Sequence, residues 1–149
     1  MSILSKSYIP ADKSSDMALN FLFPGLENNE NFQKGEILSY FNIVYHDGLF
    51  LDAIEDLLKN HDSYSLEGCY GYYPDCNSGY PSDCFEEGLI RFAVGLDDER
   101  YGIYVTEREF FRYAKEACLR FIRLHPEHRD FVMDIVDNWK PKYPDKYPE

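Results

Sequence analysis

GLIRFAVGLDDERYGIYVTEREFF, residues 88–111, decides the fold class, because two kinds of periodicity meet inside it. Gly88–Val94 and Tyr101–Val105 are rich in β-branched and aromatic residues and flank the acidic turn Leu96–Arg100, which predicts a β-hairpin at about 88–105. Thr106-Glu107-Arg108-Glu109 then has the form of a capping box, in which hydroxyl and carboxylate satisfy the free N–H groups of a helix start. The helix it opens places Phe110, Ala114, Ala117, Cys118 and Phe121 on one face and runs to about Leu124. Strands feeding directly into an amphipathic helix point to an α+β domain.

The rest of the chain extends that reading. Pro126 is suited to the first position of another helix, whose inner side would carry Val132, Ile135, Val136 and Trp139. The end, KPKYPDKYPE, repeats Lys-Tyr-Pro and reads as an extended, weakly ordered tail at 140–149. Toward the N-terminus, Ile37, Leu38, Phe41, Val44 and Tyr45 define one buried helical face starting at Glu36. His46-Asp47-Gly48 breaks it, and a second helix follows with Phe50, Leu51, Ile54, Leu57 and Leu58 inward. Before these, the apolar patch Met17–Phe23 ends at Pro24-Gly25, and GLENNEN reads as an exposed loop. The order is a helix pair, an irregular segment, a hairpin and a C-terminal helix pair. That predicts one domain over 1–149, with a globular core at about 16–139 and an antiparallel sheet of two or three strands.

A chain of 149 residues with 44% hydrophobic and 17% aromatic residues can bury a core without staples. No run approaches the roughly 20 apolar residues of a membrane-spanning helix. The N-terminal stretch lacks an apolar signal core and a cleavage site, so a cytoplasmic protein is expected. Asp and Glu number 27 against 15 Lys and Arg, a formal charge of −12. That balance disfavours direct nucleic-acid binding and favours capture of a basic partner. It carries no signal for an oligomeric state.

Candidate chemistry is sparse. Cys69, Cys76, Cys84 and Cys118 form no CxxC pair, so neither a zinc site nor a disulfide framework is expected and the thiols read as reduced. His46, His61, His125 and His128 read as structural, the first two at helix ends where an imidazolium complements the dipole. No nucleophile elbow, phosphate loop, dinucleotide fingerprint or zinc-protease motif occurs. Neither an enzyme, a metal nor a cofactor is expected.

Charge is distributed unevenly. Between Asp62 and Arg100 lie nine acidic residues, two arginines (Arg91 and Arg100) and no lysine. SLEGCYGYYPDCNSGYPSDCFEEG, Ser65–Gly88, adds Tyr70, Tyr72, Tyr73, Tyr80 and Phe85 to that acidic segment. Tyrosine supplies contact area at low ordering cost, and acidic residues around it suit an electropositive cleft. The candidate partner-binding residues are therefore Asp75, Asp83, Glu86, Glu87, Asp97, Asp98 and Glu99, with Tyr72, Tyr73 and Tyr80 as anchors. About half of the rings in this region are expected to pack beneath the loop.

EILSYFNIVYHDGLFLDAIEDLL, CFEEGLIRFAVG and YVTEREFFRYAKEACLRFIRLHPEHRDFV, in that order, resemble the CdiI-type immunity proteins of contact-dependent growth inhibition. The likeness covers about residues 33–138. It implies a cytoplasmic, non-enzymatic protein that binds and blocks a cognate ribonuclease toxin domain, whose RNA-binding cleft would be basic. Two other readings remain from the residues alone: an acidic regulatory or adaptor domain for another basic protein, and a small enzyme with an unrecognised Cys–His or carboxylate site.

Overall fold

The computed structural model describes residues 6–10, 35–95 and 102–148. Helix α1 spans Gly35–His46 and buries Ile37, Leu38, Phe41, Val44 and Tyr45, the face its spacing predicts. His46 closes its last turn, and the Asp47 and Gly48 N–H groups bond back to Ile43 and Tyr45 carbonyls at 3.0 and 3.1 Å. Helix α2, Phe50–Ile54, passes into a wider π-type turn, Glu55–Lys59, so Leu57 and Leu58 still reach the core.

The segment expected to be irregular supplies two strands. β1, Tyr64–Leu66, and β2, Cys69–Tyr72, form a tight hairpin, with Leu66 opposite Cys69 and Tyr64 opposite Gly71. β3, Leu89–Val94, pairs with β2, and β4, Ile103–Thr106, pairs with β3. The sheet is thus a four-stranded antiparallel meander in the order β1-β2-β3-β4, where two or three strands were expected. The acidic hairpin turn and the N-terminal patch Met17–Phe23 lie outside the described residues.

Pairing fixes the two faces, since directly opposed residues point the same way. Cys69, Gly71, Ile90, Phe92 and Val105 face inward, under α1 and the long helix α3, Glu107–Leu124. Tyr70, Tyr72, Arg91 and Tyr104 share the outer face. At the end of β3, the Val94 N–H donates to the Glu36 carboxylate at 2.8 Å, tying the sheet to the start of α1. Gly102 approaches β3 so closely, at φ +95°, that a Cβ there would lie 2.5 Å from the Phe92 carbonyl oxygen. Gly102→Ala combines backbone strain with a clash against backbone, and should lower stability by about 1–3 kcal/mol in denaturant unfolding.

Helix α3 starts as its capping box requires: the Thr106 hydroxyl accepts the Glu109 N–H at 3.1 Å. Pro126–His128 forms a 3-10 turn before helix α4, Arg129–Asp137, so Pro126 opens a tighter turn and the α-helix proper begins at Arg129. Beyond α4, Trp139 stacks on Phe111 of α3 with ring centroids 4.1 Å apart.

Tyr8 closes the core from the N-terminal side. Its hydroxyl donates to the Tyr45 carbonyl at 2.7 Å and accepts the Phe50 N–H at 3.1 Å. Its ring packs against Tyr45, Phe121 and His125. Both late histidines are held inside this cluster. His128 Nε2–H donates to the Ser7 carbonyl at 3.0 Å. His125 Nδ1 lies 3.7 Å from the Glu127 carboxylate, and its Nε2 shares a hydrogen bond with the Tyr45 hydroxyl at 2.9 Å.

Burial holds the His125 pKa below its ordinary 6.5, with the neighbouring His128 adding to the effect and Glu127 opposing it. The unfolded chain therefore binds a proton that the folded chain resists, so stability rises with pH through this window. Its contribution is complete above about pH 6.5 and falls away as the medium becomes more acidic. His125→Gln should flatten that part of the thermal-stability profile between pH 7.5 and 5, whatever its cost at neutral pH.

Candidate functional site

β2 leaves the sheet at Tyr72, and the two tyrosines there part company. Tyr72 stays half-buried on the outer face, stacked with Tyr70. Tyr73 turns inward and is only 6% exposed, its hydroxyl donating to the Leu57 carbonyl at 2.7 Å. Burial raises its phenol pKa, and the ring belongs to the core.

The chain then makes a closed loop. Asp75 N–H donates to the Asp83 carbonyl at 2.7 Å, and the Asp75 carboxylate accepts the Asn77 N–H at 3.0 Å. The 3-10 turn Pro81–Asp83 completes the return. Cys76 and Cys84, brought to a Cα separation of 4.2 Å, form a disulfide. This corrects the expectation of four reduced thiols. The pairing depends on the loop closing on itself, which a spacing of eight residues without a motif does not announce. Cys69 and Cys118 are free and buried, and burial pushes the Cys69 thiol up to about 12.

Below this loop lies an open cleft of about 560 Å³, lined by Pro74, Asp75, Cys76, Asn77, Phe85, Glu86, Glu87 and Lys146. The fold thus brings together Asp75, Glu86 and Glu87, three of the acidic residues singled out above. Asp83 is half-buried at the loop neck, and Tyr80 projects from its turn, 70% exposed. Neither lines the cleft, nor does Tyr72. Asp97, Asp98 and Glu99 lie outside the described residues. Arg91, one of two basic residues in the acidic segment, is 0% exposed, with its guanidinium 5.9 Å from the Tyr72 ring centroid.

Two groups of residues escaped the sequence reading. Tyr104 is exposed on the outer sheet face and meets Phe85 edge-on at 5.1 Å. Strand alternation in IYVT was a sufficient signal for its direction. The second group is the C-terminal segment, which folds back on the body. Glu107 is 4% exposed, and its carboxylate accepts the Lys142 and Tyr143 N–H groups at 2.7 and 3.0 Å. The Tyr147 hydroxyl donates to the Glu86 carboxylate, and the Tyr143 hydroxyl bonds Glu87, which raises the Tyr143 pKa. Nothing in a Lys-Tyr-Pro repeat announces such contacts.

Among the described residues, no three His, Cys, Asp or Glu side chains are grouped to hold a metal ion. Nor is any of their helices long and apolar enough to cross a membrane. The arrangement is that of an α+β protein with a carboxylate-lined cleft beside a clamped loop. The chain belongs to the CDI immunity protein family, whose model matches residues 30–136. It is accordingly an immunity protein of contact-dependent growth inhibition, with a cognate toxin as its partner. Comparison with curated proteins finds no significant match.

Proposed function

We propose that the protein neutralises a ribonuclease toxin domain in the cytoplasm by presenting its carboxylate-lined cleft and the adjoining tyrosines to the toxin's basic active site. The observation that carries this reading is the convergence of Asp75, Glu86 and Glu87 on one opening. Carboxylates so placed can pair with Lys, Arg or His side chains that would otherwise hold RNA phosphates. Tyr80, exposed on its turn, and the half-buried Tyr72 would supply contact area, while Tyr73 packs in the core. Asp83 adds a carboxylate at the loop neck, and Asp97, Asp98 and Glu99 are assigned to the same interface on their charge alone. Binding and inhibition need no chemistry from the immunity protein, in keeping with a non-enzymatic role.

The test is RNA cleavage by the cognate toxin domain, titrated with the purified protein. One equivalent should abolish cleavage, and the complex should form faster at low salt than at high salt. Undiminished cleavage by a toxin that is demonstrably bound would place the interface away from the active site. A toxin without ribonuclease activity would refute the target class.

A further inference from the structure

Two of the carboxylates assigned to toxin capture, Glu86 and Glu87, are already engaged. Tyr147 bonds Glu86, Tyr143 bonds Glu87, and the Lys146 side chain lines the cleft. Four residues earlier in the repeat, the Lys142 ammonium lies over the Tyr73 ring, 5.7 Å from its centroid. Lys146 and the two tyrosines of the repeat KYPDKYP thus rest on the surface assigned to the toxin, while Lys142 lies against the core ring of Tyr73. Gly88 makes room for this approach: a Cβ there would fall 2.7 Å from the Lys146 Cβ. The segment is nevertheless lightly held. Its lysines are exposed, and its backbone is tied to the body near its start, where the Lys140 carbonyl accepts His61 Nε2–H at 2.7 Å and the Glu107 carboxylate accepts the Lys142 and Tyr143 N–H groups. Exposed phenol–carboxylate bonds of this kind exchange readily with other partners.

We propose that the C-terminal Lys-Tyr-Pro repeat is the resident ligand of the cleft, and that an extended lysine-bearing segment of the toxin displaces it on binding. The inference rests on the reading of the cleft as the toxin's docking site. It adds that the cleft selects an extended basic segment with hydrogen-bonding side chains, and that the tail shields the carboxylates until such a segment arrives. The tail then acts as a competitor present at high effective concentration, lowering apparent toxin affinity by the fraction of time the cleft is closed.

Two measurements test it. Amide hydrogen exchange on the intact protein should find the Lys142 and Tyr143 N–H groups protected, and saturating cognate toxin domain should abolish that protection. Tyr143→Phe/Tyr147→Phe, which keeps the rings, and a chain ending at Lys140 should each bind the toxin roughly 3–10-fold more tightly than the parent. Greater tail protection in the complex, or weaker toxin binding by both variants, would overturn the proposal by making the tail part of the interface. Unprotected amides in the free protein would overturn it by showing no resident ligand. Failure of the docking-site reading looks different. In that case the amides are protected in the free protein, the toxin binds elsewhere without disturbing them, and displacement by the toxin is excluded. A synthetic peptide of residues 140–149 added to the shortened chain then shows separately whether Glu86→Gln/Glu87→Gln removes tail binding.

Discussion

Phe121→Ala should cost about 3–5 kcal/mol and lower Tm by roughly 10–15 °C, the largest loss of stability expected from one truncation here. Phe121 is fully buried on α3, stacked on Phe50 at 4.5 Å between ring centroids and meeting Tyr8 edge-on at 4.9 Å. His125 and Tyr45 complete the cluster. The ring therefore joins α1, α2, α3 and the N-terminal segment, and no single neighbour can relax into the space it leaves. Phe121→Leu retains much of the volume and should recover about half the loss. Urea unfolding measures both. A loss below about 1 kcal/mol for the alanine variant would mean that the four segments do not converge on this ring.

The second large effect concerns binding. Glu86→Lys/Glu87→Lys should weaken cognate toxin affinity by about 100-fold or more, mainly through slower association, with a flatter salt dependence. Both side chains are exposed, so the thermal midpoint should change little. Asp97→Lys/Asp98→Lys/Glu99→Lys offers a parallel comparison at the hairpin turn. Surface plasmon resonance at two salt concentrations separates the outcomes. Unchanged kinetics in both variants would move the docking face elsewhere, with the helices of residues 36–59 as the next surface to examine.

Much of the architecture was legible because long apolar stripes carry it. The stripes of α1, α2 and α3, the β3–β4 hairpin and the Thr106 cap follow from spacing and side-chain type. β1 and β2 were hidden for a specific reason. Cys69 and Gly71 are the inward residues of β2, and the space above Gly71 is filled from across the core: a Cβ there would lie 3.1 Å from Phe92 and 3.2 Å from Tyr40. A strand whose core contacts come from its neighbours' rings shows no aliphatic alternation of its own. The candidate site was legible as charge and composition but not as geometry. Asp75, Glu86 and Glu87 meet only after the Cys76–Cys84 loop closes, and the tail's position depends on contacts across tens of residues. Tyr73 could not be assigned to the core from sequence because its neighbour Tyr72, of the same type, remains half outside.

The stacking of Trp139 on Phe111 gives the protein an optical handle. It holds the sole tryptophan of the chain, and Lys140, which begins the tail, follows it directly. Emission from this indole reports on the junction where the folded body hands over to the Lys-Tyr-Pro repeat, without any label. A shift in wavelength or quenching on toxin addition would therefore time the rearrangement of that junction in a stopped-flow experiment.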